Sequence, residues 1–120
     1  MNDYKLGQME AKFAEMIWEM APVASGELVK QCQLAFGWKK STTYTMLKRL
    51  CQRGLFENSG GQVRVMVSQV DYAALQSEQF VEETFAGSLP QFLAAFTRRK
   101  KLSAEEIGEL QKLIDDYQEG

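Results

Sequence analysis

The stretch Trp38-Lys-Lys-Ser-Thr-Thr-Tyr-Thr-Met-Leu-Lys-Arg-Leu-Cys-Gln-Arg-Gly54 decides how the rest of the chain is read. Thr43, Met46, Leu47 and Leu50 fall at i, i+3, i+4 and i+7, which gives a helix one apolar face. Ser41 is placed to cap the start of that helix, and Gly54 suits the left-handed residue that ends one. The other faces carry Thr42, Tyr44, Thr45, Lys48, Arg49 and Gln52. Lys39, Lys40, Lys48, Arg49 and Arg53 supply five positive charges, and no acid occurs from residue 38 to 56. A helix that is merely solvated usually mixes signs. Short hydroxyls beside Lys and Arg suit phosphate contacts together with a major-groove edge. The stretch reads as a DNA recognition helix, against the plainer alternative of a basic surface helix.

Working outward, residues 7–20 place Met9, Phe13, Met16, Ile17 and Met20 at helical spacing, and Ala21-Pro22 stops that helix. Ser25 is expected to cap a second helix running to about Phe36, with Leu28, Val29, Cys32 and Phe36 inward. Gly37 breaks it, and Trp38 packs between helices. Beyond Gly54 the period changes. Leu55-Phe56-Glu57 predicts a short strand, Asn58-Ser59-Gly60-Gly61 a turn, and Val63 to Val67 a second, alternating strand. Three helices followed by a β-hairpin is the order of a winged helix-turn-helix. Arg64 either touches a phosphate from the hairpin or stands idle in solvent.

From Asp71, an expected helix cap, the chain is helical again. Leu75, Val81 and Phe85 belong to one helix, and Gly87-Ser88 ends it and caps the next, which carries Leu89, Phe92, Leu93 and Phe96. Arg98-Arg99-Lys100-Lys101 follows at a helix C-terminus, where the dipole favours cations; it reads first as a solvated connector. Ser103-Ala-Glu-Glu106 is a capping box with Leu102 and Ile107 as its staple, and Ile107, Leu110, Ile114 and Tyr117 then form one stripe. Three short helices bury this much apolar surface poorly alone, so a second copy is the expected partner, through a twofold interface. The fold class is mainly α with a small β-hairpin wing: a winged-helix DNA-binding domain over residues 1–70 and a three-helix dimerisation region over 71–120. Leu75, Phe85, Leu89, Phe92, Leu93, Phe96, Ile107, Leu110 and Ile114 are the candidate dimerisation residues. The alternative is that the tail folds back on its own winged helix.

The chain has 120 residues, 45% hydrophobic and 25% charged, which is ordinary for one folded domain or a small domain with an appendage. No apolar run reaches the ~20 residues of a membrane span, and the N-terminus lacks a signal-peptide core, so a cytoplasmic protein without membrane insertion is expected. Cys32 and Cys51 do not form a C-x-x-C pair and there is no histidine, which argues against a metal site and against His-based catalysis. No Gly-rich phosphate loop occurs. No cofactor, metal or catalytic activity is expected. Residues 1–70 hold nine Lys/Arg against six Asp/Glu, net +3, and residues 71–120 hold five against ten, net −5. A basic front and an acidic back point to two jobs, with any DNA surface in the front.

Trp38, Thr42, Thr45, Arg49, Leu50 and Gly54 follow the pattern W-x-x-x-T-x-x-T-x-x-x-R-L-x-x-x-G. Together with Trp18, Phe85-Ala-Gly-Ser-Leu89 and Leu102-Ser-Ala-Glu-Glu-Ile-Gly-Glu-Leu110, this resembles the penicillinase and methicillin-resistance repressors and the copper-responsive CopY repressors. The resemblance covers nearly the whole chain. It implies a dimeric winged-helix repressor on palindromic double-stranded operator DNA, often over its own promoter, controlling antibiotic-resistance or metal and stress genes. It puts Thr42, Thr45 and Arg49 against the operator, with Ser41, Tyr44 and Lys48 beside them. Lys39, Lys40 and Arg64 complete the candidate DNA-binding set. Ser41 replaces a usual Lys, and Thr43 a usual Val or Ile.

Two departures concern release. Penicillinase-type repressors are inactivated when a membrane sensor-protease system cuts an Asn-Phe bond in the dimerisation region; the matching bond is Ala95-Phe96. CopY-type repressors carry a C-terminal cysteine cluster, whereas this sequence ends Asp-Tyr-Gln-Glu-Gly. Proteolysis is therefore expected ahead of metal. Two other classes compete with the repressor: a winged-helix protein-interaction module that never meets DNA, and a thiol redox sensor using Cys32 and Cys51.

Overall fold

A computed structural model describes residues 5–120. Residues 1–4, part of the N-terminal segment read above for a signal peptide, lie outside the described residues. The elements run α1 (Gln8–Met20), β1 (Val23–Ala24), α2 (Ser25–Phe36), α3 (Lys40–Gln52), β2 (Phe56–Ser59), β3 (Gln62–Val65), α4 (Gln69–Phe85), α5 (Leu89–Arg99) and α6 (Ala104–Glu119). Helices followed by a small antiparallel sheet make this a winged helix with further helices after it. The chain divides into two compact units, one ending at Gln79 and the other spanning Phe80–Gly120.

The first unit closes over a core drawn from every early element. Phe13, Ala14 and Ile17 of α1 pack with Leu28 and Cys32 of α2, Leu47 and Leu50 of α3, and Leu55, Phe56 and Val63 of the hairpin. Trp38 sits as the spacing predicts, with its ring 5.4 Å from Phe13 and 4.9 Å from Phe36. It thereby wedges the start of α3 against the two preceding helices. Trp18 holds the far side: its indole N–H donates to the Val67 carbonyl at 3.0 Å, and its ring lies 5.2 Å from Phe56 and 5.6 Å from Tyr72. Through Tyr72, which is buried, the opening of α4 belongs to this core.

The wing differs in register from its sequence reading. Asn58 and Ser59, expected in the turn, pair with Val63 and Gln62, so β2 runs to Ser59. The turn shrinks to Gly60-Gly61, both at positive φ (60° and 82°), the two-residue geometry that suits the twist of a hairpin. A third strand joins it: β1 pairs antiparallel with β3, giving the sheet order β1-β3-β2. Two residues show no periodicity, so sequence had no signal for it.

Three expected caps are corrected. Ala24 is held extended by its pairing with β3, so α2 begins at Ser25 itself and Ser25 makes no cap. Lys39, two residues before Ser41, takes the cap position without a side-chain bond, so α3 begins at Lys40 and Ser41 lies inside the helix. Ser68, not Asp71, caps α4, its hydroxyl accepting from the Asp71 N–H at 3.1 Å. Gly54 does end α3 in the left-handed region, at φ 83°. Ser88 caps α5, and Ser103 with Glu106 forms the full capping box of α6.

In the second unit Phe80, Phe85 and Phe92 meet edge to face with centroids 5.6–6.0 Å apart. No residue of α5 or α6 is buried.

Candidate nucleic-acid interface

α3 is anchored by Thr43, Leu47 and Leu50, all buried. Helical geometry then turns Lys40, Ser41, Thr42, Thr45, Lys48 and Arg49 outward, and all six are exposed, as is Lys39 just before them. The first turn contains no acid. The Thr45 hydroxyl donates to the Ser41 carbonyl at 2.9 Å, which leaves its oxygen lone pairs facing solvent as acceptors. Arg49 rests one guanidinium nitrogen 3.8 Å from the Met46 sulfur, which uses one of its five N–H donors and leaves the others for a ligand. The arrangement is a row of hydroxyls and cations on one rigid surface, without a carboxylate. That surface suits a polyanion.

Two residues of the stretch leave the row. Arg53 points back to α1: it donates to the Lys5 carbonyl at 2.8 Å and lies 3.8 Å from the Glu10 carboxylate. Tyr44 is half-buried, and its hydroxyl is 3.1 Å from that of Ser25. Arg64 is exposed on β3 but stands opposite Glu57 in the hairpin register, so the wing adds no net charge at that pair. Asn58, which sequence reasoning assigned only to a turn, lines an open depression of about 400 Å³ with Tyr44, Leu47, Lys48 and Cys51. Its place beside Lys48 depends on the strand register, which the sequence pattern misplaced.

Burial acts on both thiols in the same direction. Burial pushes the Cys32 thiol above its ordinary range, partly offset by the Thr43 hydroxyl; its sulfur is 3.8 Å from that of Met16. Burial also pushes Cys51 up, against a backbone hydrogen bond from Asn58, and the Glu57 charge pushes the same way. Both cysteines are free. Among the described residues no three His, Cys, Asp or Glu side chains are grouped to hold a metal ion, and no helix is long and apolar enough to cross a membrane.

The sequence profile described as "Penicillinase repressor" matches residues 6–116. The chain belongs to the penicillinase repressor family. It is 26% identical over 117 residues to the penicillinase repressor of Bacillus licheniformis, covering 94% of this chain and 91% of that one. It is 22% identical over 116 residues to the methicillin resistance regulatory protein MecI of Staphylococcus aureus strain Mu50, covering 93% and 94%. The MecI of Staphylococcus epidermidis matches with the same identity and coverage.

Within this family member, the three recognition-pattern residues Thr42, Thr45 and Arg49 share the exposed face of α3. Of the candidate dimerisation residues, Leu75, Phe85, Phe92, Leu93 and Leu110 are half-buried within the single chain. Leu89, Phe96, Ile107 and Ile114 stay 56%, 44%, 55% and 49% exposed. Ala95 and Phe96, the candidate cleavage pair, lie inside α5, with Ala95 half-buried.

Proposed function

We propose that the protein is a cytoplasmic, homodimeric transcriptional repressor that binds palindromic operator DNA through α3 and does no catalysis. The observation that carries this is the acid-free, exposed row of Ser41, Thr42, Thr45, Lys48 and Arg49 on a helix whose opposite face is buried. In the proposed complex α3 enters the major groove, Arg49 and Lys48 reach phosphates or guanine edges, and the hydroxyls set register. Lys39, Lys40 and Arg64 add phosphate contacts at the two ends of the surface. A second copy covers the apolar side chains left exposed on α5 and α6, and it fixes the spacing of two recognition helices for two half-sites. Operator-bound protein excludes RNA polymerase.

Release follows from loss of that pairing. Each monomer keeps one half-site, and if a half-site contributes several kcal/mol, its loss weakens binding by orders of magnitude. A sensor-protease system cutting Ala95-Phe96 is the route we favour. Because a protease takes its substrate extended, α5 must unwind locally before the cut. Antibiotic-resistance genes are the proposed targets, in line with relatives named for penicillinase and methicillin resistance.

The test is fluorescence anisotropy on duplex DNA from just upstream of the protein's own gene, at several salt concentrations, with a scrambled duplex beside it. Preferential binding with a steep salt slope is expected. Failure to bind either duplex at low salt overturns the reading in favour of a protein-interaction module.

A further inference from the structure

Tyr44 occupies the second turn of α3, between residues of the proposed DNA face, yet it does not join them. Its ring packs against the core while its hydroxyl lies 3.1 Å from the Ser25 hydroxyl. Ser25 is only 7% exposed, and its position is a junction. It follows directly on β1, whose Val23 and Ala24 pair with Val63 and Gln62 of the wing. Its own N–H, one of the donors that a helix start leaves unmatched, donates to the Gly61 carbonyl in the wing turn at 2.8 Å. A continuous path of hydrogen bonds therefore runs from α3 through Ser25 to the tip of the hairpin.

We infer that Tyr44 is a positioning residue: through Ser25 it fixes the roll of the recognition helix relative to the wing, and so sets discrimination between DNA sequences rather than contacting DNA. This rests on the DNA-binding reading above. The start of α3 lacks a side-chain cap; Arg53 ties only its far end to α1, and apart from the Thr43 hydroxyl beside Cys32 the rest of the helix is anchored by apolar contacts, which are non-directional. A hydrogen bond is directional and resists rotation. With side-chain tips at a radius of roughly 6 Å, a roll of about 10° moves them by about 1 Å. That displacement is enough to spoil base-edge hydrogen bonds, while phosphate contacts made by flexible Lys and Arg side chains adapt.

The probe is a duplex enriched from a random library by the wild-type protein, compared with a scrambled duplex of equal length and charge. Tyr44→Phe keeps the ring and removes only the hydroxyl; Ser25→Ala removes its partner; the double variant closes the cycle. Thermal melting verifies that each variant is folded. Each single variant should weaken binding to the enriched duplex roughly two- to tenfold, the range of one net hydrogen bond. Binding to the scrambled duplex should be unchanged. The double variant should be no worse than the weaker single one, because both remove the same bond. Full affinity in Tyr44→Phe overturns the inference, as do additive losses. Equal losses on both duplexes make Tyr44 a phosphate contact and also overturn it. If the wild type enriches no sequence, the DNA-binding reading itself fails and this inference falls with it; enrichment followed by an unaffected Tyr44→Phe sinks the inference alone.

Discussion

Lys39 holds the cap position of α3 with extended backbone (φ −71°, ψ 156°), the geometry a capping side chain needs, yet it offers no acceptor to the helix N–H groups. No acid in the first turn compensates, and Lys40 adds a second cation where the helix dipole disfavours one. Such an arrangement is poor for stability and good for binding an anion at the helix start. Replacing Lys39 should therefore separate the two. Lys39→Asp supplies an acceptor and favourable charge, together worth about 1–2 kcal/mol. For a chain of this length each kcal/mol raises Tm by roughly 3–6 °C. The same change removes a cation from the proposed DNA surface and adds an anion. Operator affinity should fall, and the slope of log K against log salt should shrink by about 0.9 if one phosphate contact is lost. Lys39→Ser is the control: it caps without adding negative charge, so it should keep most of the stability gain with a milder binding loss. Melting curves and salt-dependent anisotropy read the two effects. A Lys39→Asp protein that melts higher and binds the operator as tightly as wild type, with the same salt slope, would refute the placement of DNA at the start of α3.

Arg49→Ala should cost roughly 1–3 kcal/mol of operator binding if the guanidinium reads a base, measured by the same titration; a loss near zero removes it from the site. Arg53→Ala should do the opposite, leaving DNA affinity and salt slope unchanged while lowering stability by about 1 kcal/mol, because Arg53 ties α3 to α1 through a partly exposed hydrogen bond. Truncation separates the units: a chain ending at residue 79 should stay folded and monomeric with weak operator binding by sedimentation and anisotropy. A chain ending at residue 70 loses Tyr72 from the core and should be less stable by about 2–3 kcal/mol in urea. Stability should also fall at alkaline pH. Burial raises both thiols above the ordinary cysteine value of 9.0, so the folded state holds their protons more tightly than the unfolded chain does. Their contribution is intact below that value and is lost as pH climbs through the folded-state range, and a Cys32→Ala, Cys51→Ala double variant should show a shallower alkaline decline in Tm.

What the sequence determined by itself is what short-range chemistry governs. The stripes at i, i+3 and i+4 located the helices, Ser88 and the Ser103–Glu106 box marked two starts, and Gly54 marked an end, because each signal is complete within about four residues. The outward row of hydroxyls and cations on α3 was legible for the same reason: once Thr43, Leu47 and Leu50 face the core, helical geometry turns the others out. Tertiary structure decided the features whose partner lies far along the chain. Ser25 and Tyr44 are 19 residues apart, Arg53 and Lys5 48, Trp18 and Val67 49. A serine before a helix reads as a cap until a strand claims the residue before it, and a tyrosine in a polar row reads as exposed until a buried hydroxyl gives it a partner. Hydrogen-bonding side chains go to whichever partner the packed core brings within about 3 Å, and local pattern carries no record of that choice.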